Sequence, residues 1–529
     1  MKYLKLSLLF LLLNAFAYAQ PKVEQWKRFE ISLNQAFKGN PYEDVVLKAT
    51  FTHADTTVVV TGFYDGGQTF RIRFMPEKTG QWQYKTSSNL DGLNNQKGRF
   101  DCVQATGSNH GIVRVNNTFG FSYADGKKYY PFGTTAYAWT HMPEDVQATT
   151  LATLRQSGFN KLRMCVFPKN YNLVKEEPVR FPFLQKDKYT GPESWDVHQF
   201  NPAFFQYLEN RLNQLDEAGI EADLILFHPY DKGRWGFDAL PNEVNLRYIR
   251  YVAARLSSFK NVWWSLANEW DLVKTKTAAD WQLFAETVVK ADPYRHLCSI
   301  HGATATYFDY WKPEFTHVSV QDEAPVINTS GVAMLRQIYH KPVICDEVGY
   351  EGNLTSRWGR YSPEEMTNLV WNGVIGGGYV THGECYMFKD ASDTIFWAKG
   401  GAFKGKSWKQ IAFLRQIVEG APGLLSMADI SRDYVTATAG NGWYLIYFGK
   451  QMANTWMFNL PLKNGPFPKL KAGTRFKVDI IDAMDRTIQT CPQVFETAAE
   501  SDYRMYDKDR QLVRLPNKPY MALRITEIK

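Results

Sequence analysis

Between Tyr129 and about Glu419, short apolar runs alternate with longer stretches of helical period, and this alternation leaves the chain very few folds. The runs are Pro131 to Ala138, Lys161 to Phe167, Glu221 to His228, Val262 to Asn268, Leu297 to His301, His317 to Gln321, Pro342 to Glu347 and Tyr379 to Tyr386. Each is too short for an independent helix and reads as a buried strand. Helical stretches separate most of them: Glu144 to Ser157, Pro202 to Ala218, Glu243 to Phe259, Trp281 to Lys290, Gly331 to Tyr339 and Pro363 to Val374. A last helix, Ser407 to Val418, closes the series. Buried strands joined by helices form a parallel sheet. Eight such strand-helix units match a (β/α)8 TIM barrel. A doubly wound open sheet is the alternative, but no GxGxxG follows an early strand.

The flanks read differently. Residues 1–19 have the form of a signal peptide: Lys2 and Lys5, an apolar core from Leu6 to Leu13, and Ala17-Tyr18-Ala19 before Gln20. An exported protein, periplasmic or extracellular, is expected, with no integral membrane segment. From 20 to 115 strand-like runs (Val45 to Thr52, Thr57 to Gly62, Thr69 to Met75, Gln81 to Ser87, Gly98 to Val103) are punctuated by Asp65-Gly66-Gly67 and Asp91-Gly92, which predicts an N-terminal β-sandwich. The barrel takes 116–420. From 421 to 529, runs such as Tyr434 to Ala439, Trp443 to Phe448, Thr455 to Leu460, Phe476 to Asp482 and Tyr520 to Ile525 predict a C-terminal β-sandwich. The chain is therefore multidomain.

The formal charge of +7 is spread along the sequence without a basic run, so nucleic acid is not an expected partner. Aromatic residues make up 15% of the chain, with 16 Trp and 29 Tyr, a content that suits a carbohydrate substrate as well as a large core. None of the six cysteines (Cys102, Cys165, Cys298, Cys345, Cys385, Cys491) sits in a CxxC, so mostly buried free thiols are expected, with one bridge at most. No cofactor or metal motif is present, and the oligomeric state is left open.

Chemistry in parallel barrels sits where strands end at their carboxyl side. Asn268 and Glu269 end the fourth predicted strand, among Trp263, Trp264 and Trp270, where desolvation is expected to raise a carboxyl pKa towards that of a general acid. Lys341-Pro-Val-Ile-Cys-Asp346-Glu347 ends the seventh; alternation puts Val343, Cys345 and Glu347 on one face, directed at the barrel mouth. Strands four and seven face each other across a closed barrel. Two carboxylates about 5 Å apart support double displacement on a glycoside, and about 6.5–9.5 Å leaves room for an attacking water. The competing explanation is that each Glu merely pairs with a cation such as Arg163.

Three stretches resemble known families. Phe70-Arg-Ile-Arg-Phe-Met-Pro-Glu-Lys-Thr-Gly-Gln-Trp82 resembles the sandwich module called domain of unknown function 5060, which precedes many bacterial glycosidase barrels. Trp264-Ser-Leu-Ala-Asn268-Glu269 with Pro342-Val-Ile-Cys-Asp-Glu347-Val-Gly resembles the retaining glycosidase clan (GH-A) that includes glycoside hydrolase family 5. Within it, Pro131-Phe-Gly-Thr-Thr-Ala-Tyr-Ala-Trp139 and Glu347-Val-Gly-Tyr-Glu351 are more similar to barrels called domain of unknown function 4038, and Phe476-Lys-Val-Asp-Ile-Ile-Asp-Ala-Met484 is similar to domain of unknown function 5605. The resemblance implies a secreted retaining glycoside hydrolase cleaving O-glycosidic bonds. In it Glu269 is the acid/base, Glu347 the nucleophile, and Asn268 a ligand of the sugar 2-hydroxyl. Asn268 and Glu269 both serving the site requires a local bulge.

Strand eight ends in Thr381-His382-Gly383-Glu384 where clan barrels often have an aromatic residue, so Glu384, like Glu351 and Asp346, competes for a catalytic or sugar-binding role. Arg163 needs a carboxylate partner if buried and is expected to hold Glu347 ionised. His228, His382 and Gln321 are candidate sugar ligands, and Tyr230, Trp139, Trp235, Trp270 and Trp397 are candidate stacking platforms. The long connection from Pro168 to Asn201 is expected to wall the cleft. An inverting hydrolase remains open at this stage, and so does a non-catalytic glycan-binding protein on a degenerate barrel.

Overall fold

The computed structural model describes residues 20–529 apart from 171, 172, 175, 187–190, 304, 305, 389–394 and 500–502. The signal segment expected at 1–19 lies outside the described residues. Eight parallel strands form the central barrel: β1 (Gly133–Thr135), β2 (Lys161–Cys165), β3 (Glu221–Phe227), β4 (Val262–Ala267), β5 (Cys298–Ser299), β6 (Val318–Gln321), β7 (Val343–Glu347) and β8 (Tyr379–His382). Their order in the sheet is β5-β4-β3-β2-β1-β8-β7-β6, and a parallel bridge from His301 to Ser319 joins the two ends into a closed ring. Every residue of β3 and β4 is buried, which explains their unbroken apolar character. The helix Asn242–Leu256 shows the complementary pattern, burying Val244, Tyr248, Val252 and Leu256 at helical spacing against the sheet.

One expected unit is missing. Between β5 and β6 the described residues form turns, not a helix, so the ring of helices is interrupted there. The barrel interior also departs from an apolar filling. Lys161 Nζ donates to Asp223 Oδ2 at 2.9 Å and to Asp346 Oδ1 at 2.8 Å, and Arg163 Nη1 donates to Asp223 Oδ2 at 3.2 Å. All four side chains are buried. Such an array is tolerable because each charge has an opposite partner within hydrogen-bonding reach.

A three-stranded meander (Val113–Asn116, Gly120–Tyr123, Lys128–Tyr129) closes the amino-terminal end of the barrel. Its Phe121 ring lies 5.6 Å from Trp263 near the start of β4 and 5.2 Å from Tyr379 at the start of β8. The amino-terminal mouth is thereby filled by aromatic packing.

The barrel is flanked by two β-sandwich modules. On the amino-terminal side a five-stranded sheet faces a three-stranded one over Phe51, Phe74, Trp82 and Phe100. It is bound to the barrel helices through buried ions: Arg73 Nη2 donates to Glu209 Oε2 at 2.9 Å, and Arg255 pairs with Asp65 at 2.8 Å. On the carboxyl-terminal side an eight-stranded sheet and a two-stranded one enclose Phe458, Phe476, Phe495 and Leu523. Tyr447 of that sheet donates to Asn368 Oδ1 at 3.1 Å and packs on Trp371, both from the helix Pro363–Ile375. All six cysteines are free and buried, and no described helix is long and apolar enough to cross a membrane.

Candidate active site

β4 ends at Ala267, and the next two residues turn inward by a change of backbone conformation. Asn268 still donates its backbone N–H to Phe227 O at 3.0 Å. Glu269 then adopts left-handed angles, φ 50° and ψ 53°. A non-glycine residue there costs roughly 1–3 kcal/mol and persists only where its surroundings enforce it. The left-handed turn stands where the sequence called for a bulge: it brings the side chains of Asn268 and Glu269 to one hydroxyl, that of Tyr230, with Glu269 lining the cavity and Asn268 behind it. Asn268 is fully buried; its Oδ1 accepts from Arg163 Nη2 at 2.8 Å and its Nδ2 donates to Tyr230 OH at 2.5 Å. Tyr230 in turn donates to Glu269 Oε2.

His228 positions Tyr230 from behind. Its Nε2 faces Phe167 O at 3.1 Å, its Nδ1 accepts from Tyr230 N at 3.1 Å, and its ring stacks on the tyrosine at 5.1 Å. Burial lowers its pKa to about 4, so the ring is neutral.

At the end of β7 the register with β6 shifts between Val320 and Gln321, so Cys345 pairs with Val320 and Glu347 with Gln321. This corrects the simple alternation expected for Val343, Cys345 and Glu347. Asp346 takes the inward place, bonded across the barrel to Lys161, Ser319 Oγ at 2.6 Å and Thr381 Oγ1 at 2.8 Å. Glu347 emerges into the mouth, where Tyr137 OH donates to its Oε1 and His301 Nε2 lies 3.8 Å away. The His301 ring is itself fixed between Gln321 Oε1 at 3.2 Å and Ser319 Oγ at 3.1 Å.

Glu269 and Glu347 line one cavity of about 360 Å³, together with Lys169, Tyr230, Gln321 and Trp397. Burial pushes the Glu347 carboxyl up to about 7, and the charge of Glu269 adds to this. The Tyr137 hydrogen bond and the Arg163 charge pull the other way. Lys169 Nζ lies 4.4 Å from the Tyr137 ring, 4.3 Å from Tyr230 and 4.4 Å from Trp397, a cationic post beside both carboxylates.

Several expected site residues lie elsewhere. Arg163 does not bond Glu347: its donors go to Asn268, Asp223 and Ser265, and it acts on Glu347 only through its charge. Trp139 is fully buried and donates from Nε1 to Gln147 O at 3.1 Å. Trp235 is 1% exposed and packs near Phe181, while its carbonyl accepts from Trp195 Nε1. Trp270 packs edge-on against Phe308 at 5.1 Å, outside the cavity lining. His382 is buried against Phe159, with Nδ1 3.0 Å from Thr134 Oγ1. Of the long connection after Pro168, Lys169 is the described residue that reaches the cavity.

Glu351 and Glu384 are buried beside His382, the three offering ligand atoms within 4.8 Å of one another. Their carboxylates are already engaged by consecutive backbone N–H groups: Lys404 and Gly405 bond Glu384 at 2.6 and 2.8 Å, and Lys406 and Ser407 bond Glu351 at 2.8 and 3.0 Å. They anchor the start of the helix Ser407–Glu419 and do not line the cavity.

Sequence reading missed Tyr137, Lys169 and His301. Tyr137 and His301 follow strand ends, and Lys169 lies four residues past the end of β2, so position was the available signal.

Three family profiles match in succession: domain of unknown function 5060 over residues 22–89, "apiosidase-like, catalytic domain" over 116–424, and domain of unknown function 5605 over 433–526. No curated protein matches the sequence. A crystal structure of a provisionally assigned glycoside hydrolase from Bacteroides vulgatus ATCC 8482 is 58% identical, covers 96% of this chain and 100% of its own, and superposes with a TM-score of 0.92. A glycoside hydrolase family 5 protein from the same organism shares the fold at 13% identity, with a TM-score of 0.56 over 79% of this chain and 93% of its own. A further glycoside hydrolase does so at 13% identity and 0.57 over 79% and 97%. With its central profile spanning the whole barrel, the chain belongs to the family of apiosidase-like catalytic domains.

Proposed function

We propose that this protein is a retaining glycoside hydrolase in which Glu347 is the nucleophile and Glu269 the acid/base. The observation that carries the reading is the pairing of the two carboxylates in one cavity, at the carboxyl ends of β4 and β7, close enough for the charge of one to raise the pKa of the other. Two carboxylates set this close at one cavity are the arrangement that double displacement on a glycoside needs.

The steps follow from what surrounds each group. Ionised Glu347, favoured by the Tyr137 hydroxyl and the Arg163 charge, attacks the anomeric carbon. Glu269, steadied by Tyr230, delivers its proton to the departing glycosidic oxygen. After the leaving sugar departs, the same Glu269 carboxylate takes a proton from water, which attacks the glycosyl-enzyme and frees Glu347. Asn268 lies behind the cavity lining, fixed by Arg163 on one side and Tyr230 on the other; in this reading it reaches the sugar hydroxyl next to the reacting carbon through a shift of the Tyr230 side chain. The segment at 1–19 fits export to the periplasm or beyond, where polysaccharides are met.

The test is a panel of glycans and nitrophenyl glycosides, apiosides included because the family carries that name, incubated with the parent, Glu269→Gln and Glu347→Gln. Release of reducing ends by the parent alone supports the reading. The anomeric configuration of the first product, followed by NMR, must be that of the substrate; inversion would exclude Glu347 as nucleophile.

A further inference from the structure

A second cavity, of about 540 Å³, opens between the helix Pro363–Ile375 and the carboxyl-terminal sheet. It shares three lining residues with the candidate active site: Glu323, Arg357 and Tyr361. Arg357 pairs with Glu323, and Tyr361 OH donates to Glu323, so one ion pair and one hydrogen bond form the sill between the two spaces. The Arg357 side chain is 67% exposed, a surface arm and not a packed partition. Surface ion pairs of this kind are held by about 1 kcal/mol or less, so a ligand can displace the arm at little cost.

The two walls of this cavity offer the groups that sugar hydroxyls and sugar faces need. The helix side presents Asn372 and, beyond its start, Arg360. The sheet side presents Tyr434, just ahead of the strand Val435–Thr438, and Lys450 and Gln451, which follow the strand Trp443–Tyr447. Amides that both donate and accept, cationic side chains that donate, and an aromatic ring among them suit a polyhydroxylated ligand. The lining charges are of both signs (Arg357, Arg360 and Lys450 with Glu323, Glu365 and Asp433), which disfavours a polyanion such as nucleic acid. The active-site cavity alone lies near the small end of ligand pockets, roughly 300–1,000 Å³, and the adjoining one more than doubles the available space.

We propose that this cleft between barrel and carboxyl-terminal sandwich binds the further residues of an oligosaccharide whose scissile bond lies between Glu269 and Glu347. It rests on the hydrolase reading above and extends it. The substrate is an oligosaccharide or polysaccharide segment that crosses the Glu323–Arg357 sill, and the carboxyl-terminal module is part of the binding surface.

The test compares the parent with Tyr434→Ala and Gln451→Ala on two probes. One is the nitrophenyl glycoside cleaved in the panel; the other is a size-sorted set of oligosaccharides from partial hydrolysis of the polysaccharide that the parent degrades. The expected result is a kcat/KM lowered roughly ten-fold for the longer oligosaccharides, the scale of losing one well-packed contact, with nitrophenyl glycoside turnover unchanged, which also shows that the variants fold. Equal kcat/KM for parent and variants on the long probes overturns the proposal while leaving the hydrolase reading intact. If the parent cleaves nothing, calorimetric binding of the same panel oligosaccharides decides. Affinity weakened about ten-fold in Tyr434→Ala keeps the cleft and discards the hydrolase; no binding, or equal binding, discards the cleft.

Discussion

Asp346 and Glu347 are neighbours in the chain with opposite electrostatic surroundings. Burial would raise both, but at Asp346 the charges of Lys161 and Arg163 outweigh it and hold the carboxyl well below the usual range. At Glu347 burial prevails and is reinforced by Glu269, so the carboxyl titrates near 7. One residue is a fixed counter-ion in the barrel interior, and the next is a carboxyl with a raised pKa at its mouth.

Stability separates the two. Glu347 has a folded pKa of about 7 against an ordinary 4.5, so ionising it costs folding energy. No cost exists below pH 4.5; it grows as pH rises through that window and is complete above about 7. Glu347→Gln is therefore expected to unfold at higher urea than the parent at about pH 8, by about 3 kcal/mol, and to match the parent near about pH 4. Asp346→Asn leaves Lys161 and Arg163 short of a buried partner and is expected to lose about 3–5 kcal/mol. Urea titrations at both pH values check the pair.

The pH profile tests the coupling. Replacing Glu269 by Gln removes the negative charge that raises Glu347, so the Glu347 pKa falls. Tyr137→Phe removes a donor that lowers it, so there the pKa rises further. If Glu347 attacks as the carboxylate, the acid limb of kcat/KM on an activated aryl glycoside moves to lower pH in the first variant and to higher pH in the second. Limbs that move together, or not at all, contradict the assignment.

The barrel was legible because its strands are buried on both faces and its helices on one. The limits of Glu144–Ser157 and Gly331–Tyr339 coincide with those expected from the residues. The strand Thr487–Ala499 is not among the runs read from the sequence, and it contains Pro492, a residue that strand interiors disfavour. In the structure Pro492 falls in the irregularity of its pairing with the strand Arg475–Asp482, where register jumps from Thr490 to Val494. The acids at the ends of β4 and β7 could be named from order alone. Aromatic roles could not, since a ring at a strand end can turn to either side. Trp139 and Trp235 turn inward, where burial of so large an apolar surface contributes about 1.5–3 kcal/mol or more. Trp397 faces the cavity. Tyr137 escaped notice because its role depends on Glu347, 210 residues away in sequence.

Glu351 competes with Glu347 for the nucleophile's role on sequence grounds, and the geometry gives it another task. Its oxygens accept from the backbone N–H groups of Lys406 and Ser407, and Tyr386 OH donates to it at 3.1 Å. Glu351→Gln keeps the shape but turns one acceptor into a donor facing those N–H groups. The expected outcome is a loss of about 1–3 kcal/mol in urea unfolding, with kcat on a nitrophenyl glycoside within about two-fold of the parent's at low temperature. A fall in kcat comparable to that of Glu347→Gln would return the nucleophile's role to Glu351.

Tyr230 links Glu269 to Asn268, donating to the carboxylate and accepting from the amide. Its removal should therefore weaken the proton delivery proposed for Glu269 and leave the nucleophilic attack proposed for Glu347 largely untouched. A hydrogen bond to a charged group contributes about 1.5–3 kcal/mol, so Tyr230→Phe is expected to lower kcat/KM about 10- to 100-fold on a substrate with a poor leaving group. Leaving-group dependence makes the test specific. A dinitrophenol departs without protonation, so the first step on a dinitrophenyl glycoside needs no acid. There kcat/KM of Tyr230→Phe and of Glu269→Gln should approach the parent's, whereas Tyr137→Phe, which acts at the nucleophile, should be impaired on both substrates. If Tyr230→Phe loses the same factor on both, its hydroxyl serves the architecture of the site and not the acid step.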